Sequence, residues 1–285
     1  MNHGEMIKKM RITRGISRKE LTKDAISIST LQRFENEDAK IDIDNMWIIL
    51  NRLNIQIDEY YLEYNHYQSN KKEMYRSKFR DYIVLSNRGK TFLEELQREY
   101  IVTNDIFYLY LVIQAKAVMN RLPNYSAIPI TKEELKSIHD YLDRVNQWGY
   151  FELAMYTNCL AFFNSELRLF NYHDVVSQFR KFKNSPKHNL AFIKFLINSI
   201  LLAFEDEHLD EVVDLLGYLY DITNDSDFIK GRLYWKFFSR LYQSITGKFE
   251  FDGSMTIEVF KLLGYEDEVE NLIDIEETLL NKKIN

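Results

Sequence analysis

The sequence predicts an all-α protein in two parts, a small N-terminal domain of short helices and a C-terminal α-solenoid of helical repeats. Three observations lead to this fold class. The first 36 residues contain short helical segments with clear start and stop signals, and from residue 71 onward the apolar residues keep a long helical period. The chain has only three prolines and nine glycines, and it lacks the alternation of strands and turns that a β-sheet needs.

The first two predicted helices are short and bounded by capping residues. In the segment EMIKKMRITRG, Met6 and Met10 share one helical face, and Gly15 provides a C-terminal stop. Ser17 begins the second helix, and Glu20 three residues later completes a capping box. A turn of three or four residues then leads to a third helix, which is the geometry of a helix-turn-helix.

The third helix, SISTLQRFEN at residues 27–36, starts with a capping serine and has two distinct faces. We expect Ile28, Leu31 and Phe34 to be buried, with Glu35 close to them and in need of a cationic partner. The free face carries only hydroxyl, amide and guanidinium groups, from Ser29, Thr30, Gln32, Arg33 and Asn36. These groups can donate to and accept from base edges, although a solvated structural helix has the same pattern.

Basic charge is concentrated where this face lies. Residues 1–36 hold eight Lys or Arg against four acids, whereas residues 37–65 hold two against seven and residues 205–277 hold six against nineteen. Residues 1–36 therefore carry a local net charge of +4 that can attract phosphates and orient the approach to DNA, although the chain has a net charge of -6. The predicted DNA-binding residues are Arg18 and Lys19 on phosphates, and Ser29, Thr30, Gln32 and Arg33 on bases or phosphates.

The composition is that of a soluble globular protein with room for two cores, and we expect it in the cytoplasm. Cys159 is the single cysteine, so no disulfide framework or zinc site is predicted, and this residue is interpreted as a small buried hydrophobe. The N-terminus lacks the apolar segment of a signal peptide. No uninterrupted apolar run approaches the roughly 18 residues that span a bilayer, so no membrane association is predicted.

The remainder of the chain is predicted to form stacked helix pairs with a concave face. The pairs are expected to start near Tyr75, Phe107, Trp148, His188 and Phe228, the last three 40 residues apart. Within the third pair, a break between helices is predicted at NSELRLFNY, residues 164–172.

Asn158 and Asn198 occupy equivalent positions in this 40-residue register. Amides on neighbouring inner helices could hold the backbone of an extended peptide, although hydrogen bonds between helices explain them equally. Aromatic side chains would provide apolar subsites, although each one also suits the core. The predicted peptide-binding residues are Tyr110, Tyr156, Asn158, Phe162, Phe195 and Asn198.

An enzyme is not predicted. The chain has no Gly-x-Gly-x-x-Gly after a strand, no phosphate loop, no His-Glu-x-x-His and no Gly-x-Ser-x-Gly. Acid pairs at helical spacing, such as Asp206 with Asp210, are interpreted as solvated faces. No catalytic residue, cofactor or metal ligand is therefore assigned.

Residues 4–62 resemble the helix-turn-helix of the lambda-repressor-like (XRE) class, ending in DIDNMWIILNRLNIQIDEYY. Together with the helical remainder containing WGYFELAMYTNCLAFF, the whole chain resembles the Rgg/GadR/MutR transcriptional regulators of Gram-positive bacteria. The resemblance implies an N-terminal domain that binds operator DNA as a dimer. It also implies a tetratricopeptide-like C-terminal domain that, in several members, binds a short secreted peptide.

The resemblance adds one contact and reveals one departure. Many domains of this class have a buried pair between the first and third helices, and Arg11 is the nearest base for Glu35. The class often begins its second helix with Ser-Gln, whereas this chain has Ser17 followed by Arg18, so any contact of that glutamine is in question.

These features predict a sequence-specific DNA-binding transcriptional regulator that senses a short hydrophobic signalling peptide in quorum sensing. The expected organisation is a DNA-binding domain at 1–65, a linker at 66–74 and a ligand-binding and dimerisation domain at 75–285. A homodimer is expected, joined by the helix after Tyr67 and by the C-terminal helices. The alternative is a helical-repeat regulator that responds to a metabolite or a protein partner.

Overall fold

A computed structural model describes residues 2–37, 39–85, 88–163, 172–247 and 250–281. The chain divides into two compact units, Met1–Asp81 and Tyr82–Asn285, and the regular structure of the described residues is entirely helical, as predicted. The α-helices are α1 His3–Thr13, α2 Arg18–Thr22, α3 Ile28–Glu37, α4 Ile43–Arg52, α5 Ile57–Tyr64, α6 Lys71–Ile83, α7 Gly89–Thr103, α8 Ile106–Met119, α9 Lys132–Arg144, α10 Tyr150–Cys159, α11 Tyr172–Arg180, α12 Pro186–Glu205, α13 Leu209–Ile222, α14 Ile229–Ile245, α15 Ser254–Leu262 and α16 Glu266–Asn281. The domain limits predicted above remain a proposal.

The helix starts and stops of the first unit follow the predicted caps. Ser17 accepts the backbone N–H of Glu20, whose side chain accepts the backbone N–H of Ser17 in return. Gly15 follows α1 with a φ of 67°, a left-handed conformation that glycine adopts without steric cost. The helices enclose a core of Met6, Ile7, Met10, Leu21, Leu31, Phe34, Ile49, Leu50, Leu53, Ile55 and Tyr60.

A glycine lets the first and third helices approach closely. An ideal Cβ on Gly4 of α1 would lie 1.8 Å from the carbonyl oxygen of Phe34 in α3. Because the neighbouring atom belongs to the backbone, it cannot rotate away as a side chain would. Gly4 therefore sets the distance between α1 and the helix expected to face DNA.

The second unit consists of helix pairs whose first helices pack against one another. Helix α8 contacts α10, α10 contacts α12, and α12 contacts α14, while α9, α11, α13 and α15 follow them as second helices. We call α8, α10, α12, α14 and α16 the first-helix layer. A buried ion pair joins α8 to α9, because Lys116 Nζ lies 2.6 Å from Glu134 Oε1 and 3.1 Å from the carbonyl of Pro129.

The predicted pair starts lie within four residues of the observed helices, but the 40-residue spacing is wrong. Helix α10 begins at Tyr150, α12 at Pro186 and α14 at Ile229, so the spacing is 36 residues and then 43 residues. The predicted break at 164–172 lies outside the described residues except for Tyr172, which begins α11.

Helix α12 has the length and apolar composition to cross a membrane, although its sequence is not an uninterrupted apolar run. It packs against α10, α11, α13 and α14, and these contacts account for its apolar character.

Cys159 is fully buried at the end of α10, and burial raises the pKa of its thiol to about 12. Within the described residues, no three His, Cys, Asp or Glu side chains group together as metal ligands.

Candidate nucleic-acid interface and first-helix layer

Helix α3 presents the predicted polar face to solvent. Ser29, Thr30, Gln32 and Arg33 are all exposed. The Ser27 hydroxyl accepts the backbone N–H of Thr30 at 3.0 Å, which caps the helix as predicted. Its oxygen also lies 2.8 Å from Oγ of Ser29 and 2.7 Å from Oγ1 of Thr30. The exposed N-terminal end of α3 is therefore a cluster of three hydroxyl groups, each able to donate or to accept.

The buried face of α3 differs from the prediction at one residue. Leu31, Phe34 and Glu35 are buried, but Ile28 is 48% exposed. Ile28 is the first residue of the helix, and the core closes around the positions one turn further along. The expectation that Ile28 is buried was wrong.

Glu35 is the buried centre of a group of three charges, in which Arg11 is also buried and Arg18 is partly exposed. Arg11 donates from Nε to Oε1 at 2.6 Å and from Nη2 to Oε2 at 2.9 Å, so the expected pair is present. Arg18 donates from Nε to Oε2 at 2.7 Å. Burial alone would raise the pKa of the Glu35 carboxyl, but the hydrogen bonds and charges of the two arginines outweigh it, so the pKa is lowered. A charged Glu35 thus ties α1 and α2 to α3.

The polar face of α3 is not free of carboxylates. The helix extends one residue beyond the segment considered above, and Glu37 Oε2 lies 3.5 Å from Nε of Arg33. Both side chains are exposed. Glu37 therefore competes with any DNA group for the Arg33 guanidinium, which corrects the expectation of an acid-free face.

Most cations of the N-terminal segment are already paired inside the domain. Ion pairs hold Lys9 with Glu63, Arg11 and Arg18 with Glu35, Arg14 with Glu59, and Arg33 with Glu37. Lys19 and Lys23 are exposed, and within the described part of the chain neither has an ion-pair partner. Lys19 was predicted from the sequence. Lys23 was not, although its place at the turn after α2 could have indicated it.

The predicted amide residues of the second unit bridge helices of the first-helix layer. Asn158 of α10 donates from Nδ2 to the Tyr110 hydroxyl of α8 at 2.6 Å, and its Oδ1 accepts from Lys194 Nζ of α12 at 2.5 Å. Asn198 of α12 donates to the carbonyl of Thr157 at 3.2 Å. These are the interhelix hydrogen bonds that the sequence analysis left open. Lys194 was missed because it lies 36 residues, not 40, after Asn158.

The predicted aromatic residues fall mostly in the core. Tyr156 and Phe195 are 2% and 1% exposed, with their ring centroids 6.3 Å apart. Tyr110 is also buried, and only its hydroxyl takes part in the polar contacts. Phe162 is half-buried. Tyr156 and Phe195 are therefore packed in the core, which is the alternative that the sequence left open for each aromatic residue.

A second polar cluster continues along the layer. Lys230 of α14 donates to Glu268 Oε1 of α16, and the Tyr234 hydroxyl donates to Glu268 Oε2 at 2.7 Å. Asn271 donates to the same hydroxyl at 2.9 Å. Polar side chains thus join α8 to α10, α10 to α12, and α14 to α16.

This architecture defines a helix-turn-helix protein with a helical-repeat domain, and comparisons with known proteins agree. Residues 7–60 match the helix-turn-helix family model. Residues 90–273, well over half of the chain, match the model of the C-terminal domain of the HTH-type transcriptional regulator Rgg. The chain belongs to the Rgg family of transcriptional regulators.

Solved structures share the fold over nearly the whole chain. A Listeria monocytogenes EGD-e protein assigned as a transcriptional regulator has a TM-score of 0.78 at 20% identity, covering 98% of this chain and 97% of its own. The SHP pheromone receptor Rgg2 of Streptococcus dysgalactiae has a TM-score of 0.74 at 19% identity, covering 97% and 99%. PrgX in its complex with iCF10 has a TM-score of 0.72 at 15% identity, covering 98% and 96%.

Proposed function

We propose that this regulator reads operator DNA with α3 and senses a short hydrophobic signalling peptide with its helical repeats. The exposed face of α3 carries the first role, because it presents four side chains with donors and acceptors, while Lys19 and Lys23, on and just after α2, are exposed and without an ion-pair partner in the described part of the chain. The lysines would contact phosphates at any sequence. Gln32 and Arg33 would distinguish base pairs.

The first-helix layer supports the second role. Stacked helix pairs curve, and the inner helices line the concave side. Tyr110, Asn158 and Lys194 supply hydroxyl, amide and ammonium groups on three consecutive helices of the first-helix layer, which we infer to be the inner helices. Such groups can exchange their present partners for the backbone of an extended peptide. The similar Rgg2 is a pheromone receptor, and PrgX has been solved with iCF10 and with cCF10.

A homodimer in the cytoplasm suits this role, because one recognition helix reads only a few base pairs. Exposed apolar side chains occur at the predicted C-terminal surface. Leu262, Leu263 and Tyr265, at the junction of α15 and α16, are 79%, 57% and 56% exposed. Sedimentation at micromolar concentration tests this expectation, and a species of 34.3 kDa alone would contradict it.

The experiment for the proposed function combines two titrations of the purified chain. The first measures fluorescence anisotropy of its own upstream DNA at several salt concentrations, and we expect affinity to fall steeply with salt. The second is calorimetry with synthetic peptides translated from short reading frames beside the gene. We expect at least one hydrophobic peptide to bind, and an Asn158→Ala, Asn198→Ala double variant to bind it more weakly.

The two titrations separate this proposal from its alternative. Binding of DNA without binding of any peptide would favour a regulator that responds to a metabolite or to a protein partner. If the double variant binds the peptide with unchanged affinity, peptide sensing is supported, but Asn158 and Asn198 do not contribute to peptide binding.

A further inference from the structure

Lys194 is a cation with a neutral partner. Its ammonium group donates to the amide oxygen of Asn158, and within the part of the chain that the structure describes it has no salt bridge. The side chain is exposed, yet the helices beside it remove part of its hydration. That partial desolvation, together with the charge of Lys230, lowers the pKa of Lys194.

Lys230 brings a second positive charge but also a carboxylate. Its ammonium group is paired with Oε1 of Glu268, and the Tyr234 hydroxyl donates to Oε2 of the same carboxylate. Two lysines and one glutamate leave this group with one uncompensated positive charge. Residues 205–277, which include Lys230 and Glu268 but not Lys194, hold nineteen acids against six bases, so positive charge is scarce in the part of the chain that follows Lys194.

We propose that Lys194, assisted by Lys230, forms a subsite for a carboxylate group of the signalling peptide. The proposal rests on the peptide-sensing function above and adds to it the chemistry of one end of the ligand. A carboxylate entering between α12 and α14 neutralises the remaining charge, and it gains more from an ammonium that is already partly desolvated than from one in bulk water.

The subsite also gives the peptide a direction. The amide and hydroxyl groups of Asn158 and Tyr110 can hold a peptide backbone in either orientation. The acidic residues of the range 205–277 repel a carboxylate that lies along α14 or α16 instead of at Lys194. A peptide with one carboxylate end is therefore held with that end at Lys194.

The experiment uses the full chain and the reading-frame peptides, each synthesised with a free C-terminal carboxylate and as the C-terminal amide. Calorimetry of the unaltered protein should show the amide binding roughly tenfold more weakly. In Lys194→Gln, which keeps a donor for Asn158, the two forms should bind equally. Lys194→Arg should restore the preference. Lys183→Gln, in the segment between α11 and α12, removes the same charge and should leave the preference intact.

The remaining outcomes are decisive. If amidation has no effect but replacing a peptide Asp or Glu by its amide weakens binding, and only when Lys194 is present, the carboxylate comes from a side chain and the subsite is supported. If the preference for the carboxylate persists in Lys194→Gln, or if no carboxylate group affects binding, the subsite is overturned while peptide sensing stands. If no peptide binds in any form although upstream DNA is bound, both proposals fail.

Discussion

Arg18 donates from Nε to Oε2 of Glu35 over 2.7 Å, so α2 is attached directly to α3, the helix proposed to read DNA. Arg18 stands where this class often has a glutamine. Whether Arg18 replaces a DNA contact of that glutamine stays a prediction, but its role inside the domain is visible. The arginine supplies a second cation to a carboxylate whose side chain is fully buried.

Removing the Glu35 carboxylate should destabilise the N-terminal unit severely. Glu35→Ala leaves the buried guanidinium of Arg11 without its counter-ion, and the expected loss is about 3 to 5 kcal/mol in the free energy of unfolding. Arg18→Gln should cost less, because Arg11 still pairs with Glu35. Urea denaturation followed by circular dichroism measures both. Glu59→Ala, which breaks an exposed pair with Arg14, is the control and should leave the midpoint nearly unchanged.

The same carboxylate should make the fold sensitive to acid. The pKa of Glu35 is lowered in the folded state from an ordinary value of 4.5, so its stabilisation is complete above pH 4.5 and is lost as the pH falls through the folded value. Urea midpoints between about pH 6 and about pH 3 should therefore fall more steeply for the unaltered protein than for Glu35→Gln. Parallel curves would show that Glu35 does not titrate with unfolding.

Two substitutions at the DNA-facing surface should have different signatures. Gln32→Ala should cost about 1 to 3 kcal/mol at one preferred base pair and leave other sequences unaffected. Lys19→Ala should weaken binding to all sequences alike, and the slope of log affinity against log salt concentration should become shallower by about one, as expected for the loss of one phosphate contact. Lys23→Ala should have the same effect. Anisotropy with the upstream DNA and a scrambled duplex separates the two effects. If neither Gln32→Ala nor Lys19→Ala alters binding, α3 is not the recognition helix.

Glu37 should restrain DNA binding. Glu37→Gln releases Arg33 from its i,i+4 partner and removes a negative charge near the phosphates, so affinity should rise roughly two- to fivefold at low salt. The gain should shrink as salt is added. Glu133→Gln, an equal charge change on α9, serves as the control. A lower affinity for Glu37→Gln would mean that Glu37 orients Arg33 for binding.

Gly4→Ala should disturb the contact between α1 and α3. Its Cβ would overlap the backbone of Phe34, so the helices must separate, at a cost of at least about 1 to 3 kcal/mol in the free energy of unfolding. Gly217→Ala in α13 meets open space and should be neutral or mildly stabilising. Equal unfolding curves for Gly4→Ala and the unaltered protein would contradict the close approach.

The N-terminal unit was largely predictable because its caps and its buried pair follow from local spacing. Ser17 with Glu20, and Arg11 with Glu35, needed only helical geometry and the class resemblance. The exposure of Ile28 was not predictable, because periodicity gives the direction of a side chain but not how far the core extends along the helix.

The first-helix layer was predictable as a layer but not in its register. Helix starts spaced by 36 and 43 residues place Lys194, rather than Asn198, beside the side chain of Asn158. Connection lengths between helices decide that register, and no local pattern encodes them. For the same reason Tyr156 and Phe195 could not be assigned to the core or to a groove from the sequence.

The burial of Cys159 makes the natural chain a convenient starting point for spectroscopy. With the only native thiol enclosed and neutral, a cysteine introduced on an exposed position of α3 would be the single site that reacts with a spin label. In a homodimer one such substitution yields a pair of labels. The distance between them, recorded with and without ligand, would reveal whether signal binding draws the two copies of α3 together or separates them.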